Sequence, residues 1–448
     1  MIRPIAFSRS VVLPALSLLT ALLACPAAGA DADPVQVALV LRAAHLFDGV
    51  SGKLSEPGVV VVTGNRITAV GAGAALPANA RIVDLGDATL MPGIIDAHVH
   101  LQGDSTDNWY KDVFDGIMRF PAEQAHYAAH TAKATLEAGV TTVRDLGSSD
   151  YQALGLRNAI RAGQIPGPRI LVSNYAIGST AGHADQDPYP PQRIAPAGPI
   201  LGVCNGADEC RAAVRYQIKF GADVIKFMAS GGVLSQADPV DNVQLRQEEM
   251  NAIVSEAHAW GRKAAAHCHG DQAARMAIAA GVDSIEHGSF LEDDTLQEMK
   301  RKHVFLVPTL SALYFVMQKI DTFPPQIAAK ARAAGSHIHT TFEHAVKIGV
   351  PIAMGTDAGV GPNGRNAVEF TLMTQYGMTA AQALAAGTSV GAELLGIADQ
   401  TGSLVPGKLA DVIAVAGNPL TAIGATEHPV LVMRDGVIYL GGGAISGR

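Results

Sequence analysis

The chain has 448 residues, of which 48% are hydrophobic and 17% charged, and carries a formal net charge of −8. Such a composition excludes bulk disorder and supplies enough apolar material for one large domain and a smaller one. The acidic balance argues against nucleic acid or an anionic membrane as partner.

Residues 1–30 read as an export signal. Arg3 and Arg9 form a basic start, Val11 to Ala24 an apolar stretch, and Ala28-Gly29-Ala30 a small-residue cleavage site. The run is short and contains Pro14, which disfavours a membrane-spanning helix. Leu22-Leu23-Ala24-Cys25 loosely resembles a lipoprotein box, so lipid anchoring at Cys25 is the alternative to a secreted or periplasmic soluble form. Nothing later in the chain is long and apolar enough to span a bilayer.

From residue 31 to about 90 the texture is β-like. VALVLRAAHLF and GVVVVTGNRITAVG are apolar runs broken at Asp48-Gly49 and Gly64-Asn65. The same texture returns from about 404 to 448, with Asp435-Gly436 as another hairpin turn. The two ends together predict one small β-sandwich domain.

Between them, residues 91–403 alternate. Short apolar runs at GIIDAHVH, VTTVRDLG, RILVSNYAIG, DVIKFMASGG, KAAAHCHG, DSIEHGS, VFLVPTL and PIAMGTDAG are separated by helix-like stretches such as AEQAHYAAHTAKATLEAG, EEMNAIVSEAHAWG and DTLQEMKRK. Strand–helix alternation of this kind predicts an α/β fold, a (β/α)8 TIM-type barrel rather than a doubly wound sheet. No glycine-rich dinucleotide fingerprint follows the first strand.

Function in such a barrel sits at the carboxyl ends of the strands. Polar residues cluster there: His98 and His100 end the first, Arg144 and Asp145 the second, His267 and His269 the fifth, Glu286 and His287 the sixth, and Asp357 the eighth. Residues two apart on a strand share a face, so His98 and His100 can converge on one ion, and imidazole suits zinc and related divalent metals. Lys226 stands in the apolar run Val224-Ile225-Lys226-Phe227-Met228 of the fourth strand. Burial favours its neutral amine, which can add carbon dioxide and become a carbamate able to bridge two metals. The competing reading pairs its ammonium with Asp223 or Asp357.

MPGIIDAHVH, TTVRDLG, GADVIK with its lone lysine, AAHCHG, GVDSIEHGS and GTDAG together resemble the amidohydrolase superfamily with a binuclear metal centre. Within it the chain is similar to the secreted Xaa-Pro dipeptidase (prolidase-like) branch, which includes hydrolases of ochratoxin A and is related to imidazolonepropionase. The resemblance implies two divalent ions per subunit, zinc being the expected metal. His98, His100 and Asp357 would hold the more buried ion and His267 and His287 the second, with carboxylated Lys226 bridging. It also implies a homo-oligomer.

The chemistry expected is hydrolysis of an amide by a metal-activated hydroxide, with Asp357 accepting and returning a proton. His183, in the loop STAGHAD after the third strand, is the candidate donor to the developing oxyanion, a plain loop histidine being the alternative. His269 is taken as a substrate-side group. A small dipeptide-like substrate needs a cation for its carboxylate; of Arg144, Arg193 and Arg365, Arg365 is the choice, a surface or structural role being the alternative for each. A cyclic amidohydrolase and a non-catalytic barrel are the alternative functions. His126 and His130, and His337, His339 and His344, read as ordinary helix residues. Cys204 and Cys210, in CNGADEC, suit a small disulfide loop in an oxidising compartment, and Cys268 is left alone.

Overall fold

The computed structural model describes residues 37–185, 197–235 and 238–441. The expected export signal, with Cys25, and Arg193 lie outside them. Two sheets form from the chain ends. One has four strands, ordered Arg66–Val70, Gly58–Thr63, Leu39–Ala43 and Arg81–Asp84. In the other, six-stranded sheet, Val412–Ala416 from the C-terminal part runs antiparallel to Ala88–Pro92 from the N-terminal part, with Val412 opposite Pro92. Leu41, Val60 and Val62 of the first sheet share a buried cluster with Leu90, Val412 and Met433 of the second. The paired ends therefore close on a common apolar core, because alternate residues of each strand face inward.

Among the described residues the named strands between the terminal sheets pair in parallel. Ile94–Val99, Val140–Asp145 and Arg169–Val172 make one set. Val224–Met228, Lys263–Gly270, Ser284–Phe290 and Phe305–Val307 make another. The first two strands are buried along their whole length, as expected of a parallel sheet covered on both faces. Hydrogen bonds continue beyond each set. Asp223 N donates to Val172 O at 2.8 Å, Ala353 N to Leu306 O at 3.0 Å, and Asp357 N to His98 O at 2.7 Å. The expected eighth strand is irregular. Its last part contains Asp357 in the left-handed region, φ 56°, which no extended ladder accommodates.

Helices cross between the strands for local reasons. Gln247–Ala259 buries Met250, Ile253, Val254 and Ala257 on one stripe. Asp271–Ala280 ends at Gly281 with φ 92°, a left-handed terminus that glycine adopts without strain. Asp293–Lys302 has Asp293 and Asp294 in its first turn and Lys300, Arg301 and Lys302 in its last, opposite in sign to the helix-end charges they meet. His126 and His130 lie on Pro121–Glu137, and His337, His339 and His344 on Pro325–Ile348, as expected. No described helix is long and apolar enough to cross a membrane. Cys204 and Cys210 form a disulfide and Cys268 is buried and unpaired.

Candidate active site

The strand ends bring two groups of ligand-type side chains together. His98, His100 and Asp357 form one, and His267, His269 and His287 the other; within each group the donor atoms lie within 4.8 Å of one another. The groups adjoin, with the His98 and His287 ring centroids 5.1 Å apart.

The first group is oriented by charge. His98 Nδ1 is 2.9 Å from Glu286 Oε2, and Glu286 Oε1 accepts from Arg144 Nη2 at 2.8 Å and Ser284 Oγ at 2.5 Å. Burial alone would raise the Glu286 pKa, but Arg144, His98 and Lys226 outweigh it and hold the carboxyl at about 2. An anionic acceptor puts the proton on His98 Nδ1 and leaves a lone pair on Nε2. That Nε2 is 3.4 Å from Lys226 Nζ and 3.6 Å from Asp357 Oδ1. His100 is fixed the same way, because its Nδ1 donates to the Gly147 carbonyl at 2.9 Å.

His100 Nε2 therefore turns a lone pair toward Asp357 Oδ1 at 3.2 Å, and that buried oxygen has no hydrogen-bond donor among the described residues. Two acceptors face each other across a gap that only a positive charge can fill. Burial opposes protonation of His100, yet Asp357 outweighs it and raises the ring's pKa. The donor set thus fits a divalent cation held by two imidazoles and a carboxylate. The turn carrying Asp357 is pinned from below: Asp96 accepts from Thr356 Oγ1 at 2.6 Å and from Asn366 Nδ2 at 2.8 Å.

Neutral groups orient the second set. His267 Nε2 donates to the Gly231 carbonyl at 3.0 Å, which leaves its Nδ1 as the lone-pair nitrogen. His287 Nδ1 is 2.7 Å from Thr309 Oγ1, and His269 Nδ1 is 2.8 Å from Ser289 Oγ. Burial lowers the His267 and His287 pKa values well below the ordinary imidazole range and that of His269 to about 3. Uncharged rings keep their lone pairs available. His287 sits at φ 69°. This left-handed turn breaks the alternation of the strand, so that Glu286 and His287, adjacent in sequence, both reach the site.

Lys226 is buried between the groups, and burial lowers its pKa to about 8. It makes no ion pair among the described residues. Asp223, the partner weighed for it, instead accepts from Arg157 Nη1 at 2.5 Å and from Val172 N at 3.0 Å. His183 packs on His267 with ring centroids 4.4 Å apart and has no partner for its buried Nδ1 among the described residues; burial lowers its pKa to about 4. Gly232 makes room for it, since a Cβ there would come within 2.4 Å of three ring atoms of His183.

Of the two described arginines weighed for a carboxylate, Arg144 takes the structural role that was the alternative for each. Arg144 is fully buried under Glu286 and cannot meet a substrate. Arg365 lines a separate cavity with Phe315, Gln318 and Lys319, and approaches Glu427 at 3.7 Å. Sequence reasoning gave no role to Thr309, Ser289 or Gly231, and left Glu286 as one polar strand end among several. Of these only Glu286, inside SIEHGS, carried a signal, a carboxylate beside a candidate ligand. Burial pushes the Cys268 thiol up, so it is no thiolate nucleophile.

The chain belongs to the amidohydrolase family, whose model matches residues 89–440. Enzymes of this family generally use metal ions, and its solved relatives imply a TIM-barrel fold. The chain is 35% identical to ochratoxinase of Aspergillus niger over 378 residues, which cover 79% of this chain and 76% of that one. It is 39% identical to a Xaa-Pro dipeptidase whose crystal structure has methionine in the active site, with a TM-score of 0.86 over 90% of this chain and 100% of that one. Imidazolonepropionase of Paracoccus denitrificans is more distant, at 27% identity over 80% of this chain and 88% of its own. The protein is accordingly an enzyme, a hydrolase acting on amide bonds of small-molecule substrates.

Proposed function

We propose that the chain is a binuclear metal-dependent amidohydrolase that releases an amino acid from Xaa-Pro-type dipeptides or N-acyl amino acids, ochratoxin A among the latter. The observation that carries this reading is the pair of adjoining ligand groups with, between them, a buried lysine that touches His98 and has no ion pair among the described residues. His98, His100 and Asp357 would hold one ion, His267 and His287 the other. Lys226, its amine partly neutral near pH 8, would bridge them after adding carbon dioxide and releasing a proton. Zinc suits the imidazole-rich set and would supply a hydroxide nucleophile near neutral pH and a Lewis acid for the scissile carbonyl.

The protein's own groups do the rest. Burial raises the Asp357 pKa, but His100, His98 and Lys226 outweigh it and leave the carboxylate ionised, ready to take the attacking water's proton and deliver it to the departing amine. His183, neutral and lacking a partner at Nδ1 among the described residues, is the donor proposed for the carbonyl oxygen. His269 stands on the substrate side. An amino acid product is supported by the methionine held by the similar dipeptidase.

A closed eight-stranded barrel and a terminal β-sandwich complete the architecture, supported by the hydrogen bonds linking 172 to 223, 306 to 353 and 98 to 357 and by the shared terminal core. Export is supported by the Cys204–Cys210 disulfide. A homo-oligomer is supported by the exposed apolar stripe Tyr110, Phe114, Ile117 and Met118 on helix Trp109–Met118.

The test is metal content together with hydrolysis of Xaa-Pro dipeptides, N-acyl amino acids and ochratoxin A, in wild type and Lys226→Ala. About two ions per chain, with ions and activity both lost in the variant, is the expected outcome. Unchanged metal content in Lys226→Ala would make Lys226 a core lysine and sink the bridging role.

A further inference from the structure

A second cavity of about 400 Å3 adjoins the histidine pocket and shares His100 and Met228 with it. Their linings differ. Away from its histidines the first pocket is walled by apolar groups, including Val233, Leu234, Leu313, Val316 and Ile338. The second is walled largely by polar ones, among them Gln102, Gln124, Ser148, Tyr175 and Arg119. A substrate whose scissile amide lies at His100 therefore meets an apolar wall on one side and a polar wall on the other.

Arg119 is the only lysine or arginine lining the second cavity among the described residues. It directly follows helix Trp109–Met118, its guanidinium 3.7 Å above the centre of the Tyr127 ring and its Nη2 3.4 Å from Asp115 Oδ2. Stacking fixes the guanidinium plane, and with Nη2 turned to Asp115 the other in-plane N–H groups have no partner among the described residues and can grip a carboxylate. The acidic residues of the cavity are engaged elsewhere. Asp112 accepts from Thr106 Oγ1 at 2.6 Å and Asp104 from Asn363 N at 3.0 Å.

We propose that this cavity is the subsite for the α-carboxylate of the departing amino acid, held by Arg119, with the acyl group in the apolar pocket. The inference rests on the amide-hydrolase reading and narrows it to N-acyl amino acids that combine an apolar acyl group with a free carboxylate. Arg119 takes the place expected of Arg365, whose cavity shares no lining residue with the histidine pocket.

The experiment compares N-benzoyl-L-phenylalanine with N-benzoylphenethylamine, which lacks only the carboxylate, in wild type, Arg119→Met and Arg119→Lys. Arg119→Met is expected to raise KM for the acid about 10- to 100-fold with little change in kcat. The amine analogue should be unaffected, and Arg119→Lys should recover part of the loss. Equal losses on both compounds, or no loss on the acid, would overturn the subsite. Affinities of the same pair measured by calorimetry on chelator-stripped enzyme separate the two readings. A wild-type preference for the acid that Arg119→Met abolishes supports the subsite even if neither amide is cleaved, a result that would overturn only the N-acyl amino acid reading of the substrate. No preference in wild type, or one kept by the variant, overturns the subsite whatever the activity.

Discussion

The two halves of the histidine site solve one problem by different means. Each must present imidazole lone pairs, and each fixes the opposite ring nitrogen to do so. In the first half the His98 anchor is an anion, Glu286, buried with Arg144 as counter-charge, while His100 is held by the Gly147 carbonyl. In the His267–His269–His287 half the anchors are a carbonyl and two hydroxyls, with no charge at all. The contrast follows from what lies beside each group. Asp357 and Lys226 bring charge to the first half, and a charged support is tolerable there only because it is paired. The second half is imidazole alone, and burial keeps it neutral.

Three substitutions would break or sharpen that contrast. The largest effect is expected for Glu286→Gln, which leaves the Arg144 guanidinium buried without its counter-charge. Loss of about 3–5 kcal/mol in chemical denaturation should accompany a 10- to 100-fold drop in metal affinity. A stable, fully metallated variant would show that the first half does not depend on charge.

Next comes Glu369, which supports the second half at a distance. Its carboxylate accepts Leu310 N at 2.9 Å and Ser311 N at 2.7 Å, holding the start of the helix Leu310–Gln318 next to Thr309. Burial raises its pKa from 4.5 to about 7 despite those donors. Between these values the folded protein keeps a proton that the unfolded chain releases. This contribution is therefore complete below pH 4.5 and lost as pH rises through about 7, by about 3 kcal/mol. Stability measured from pH 4.5 to 7.5 should fall with pH in wild type relative to Glu369→Gln, and parallel curves would show that Glu369 titrates normally.

The smallest effect is expected for Thr309→Val, which keeps the side-chain shape but removes the partner of His287 Nδ1. A loss of roughly tenfold in metal affinity, at the low end for such supports, with global stability nearly unchanged is the expected result of a metal titration. A loss as large as that of Glu286→Gln would show that the neutral anchors carry as much as the charged pair.

The sequence by itself determined which residue types the site would have and where along the chain they would fall. His98-x-His100, Lys226 in its apolar run, His267, His287 and Asp357 are local features, and strand periodicity with the α/β alternation was enough to set them at one end of one layer. Tertiary structure decided what those residues face. His269 shares a strand face with His267 and is held by Ser289, and it joins the ligand-distance group because the left-handed turn at His287 brings that ring to the same place; alternation along a strand predicts no such turn. Arg144 looked available at a strand end and is instead the buried counter-charge of Glu286, 142 residues away in sequence. Arg119 and Arg365 are both arginines in polar surroundings, and only the fold, which makes the end of helix Trp109–Met118 and residues 147–149 line one cavity, puts the first in a cavity that touches His100. Residue identity and spacing are encoded locally, whereas the partner of a side chain depends on contacts between segments far apart in the chain, and those exist only once the strands and helices have packed.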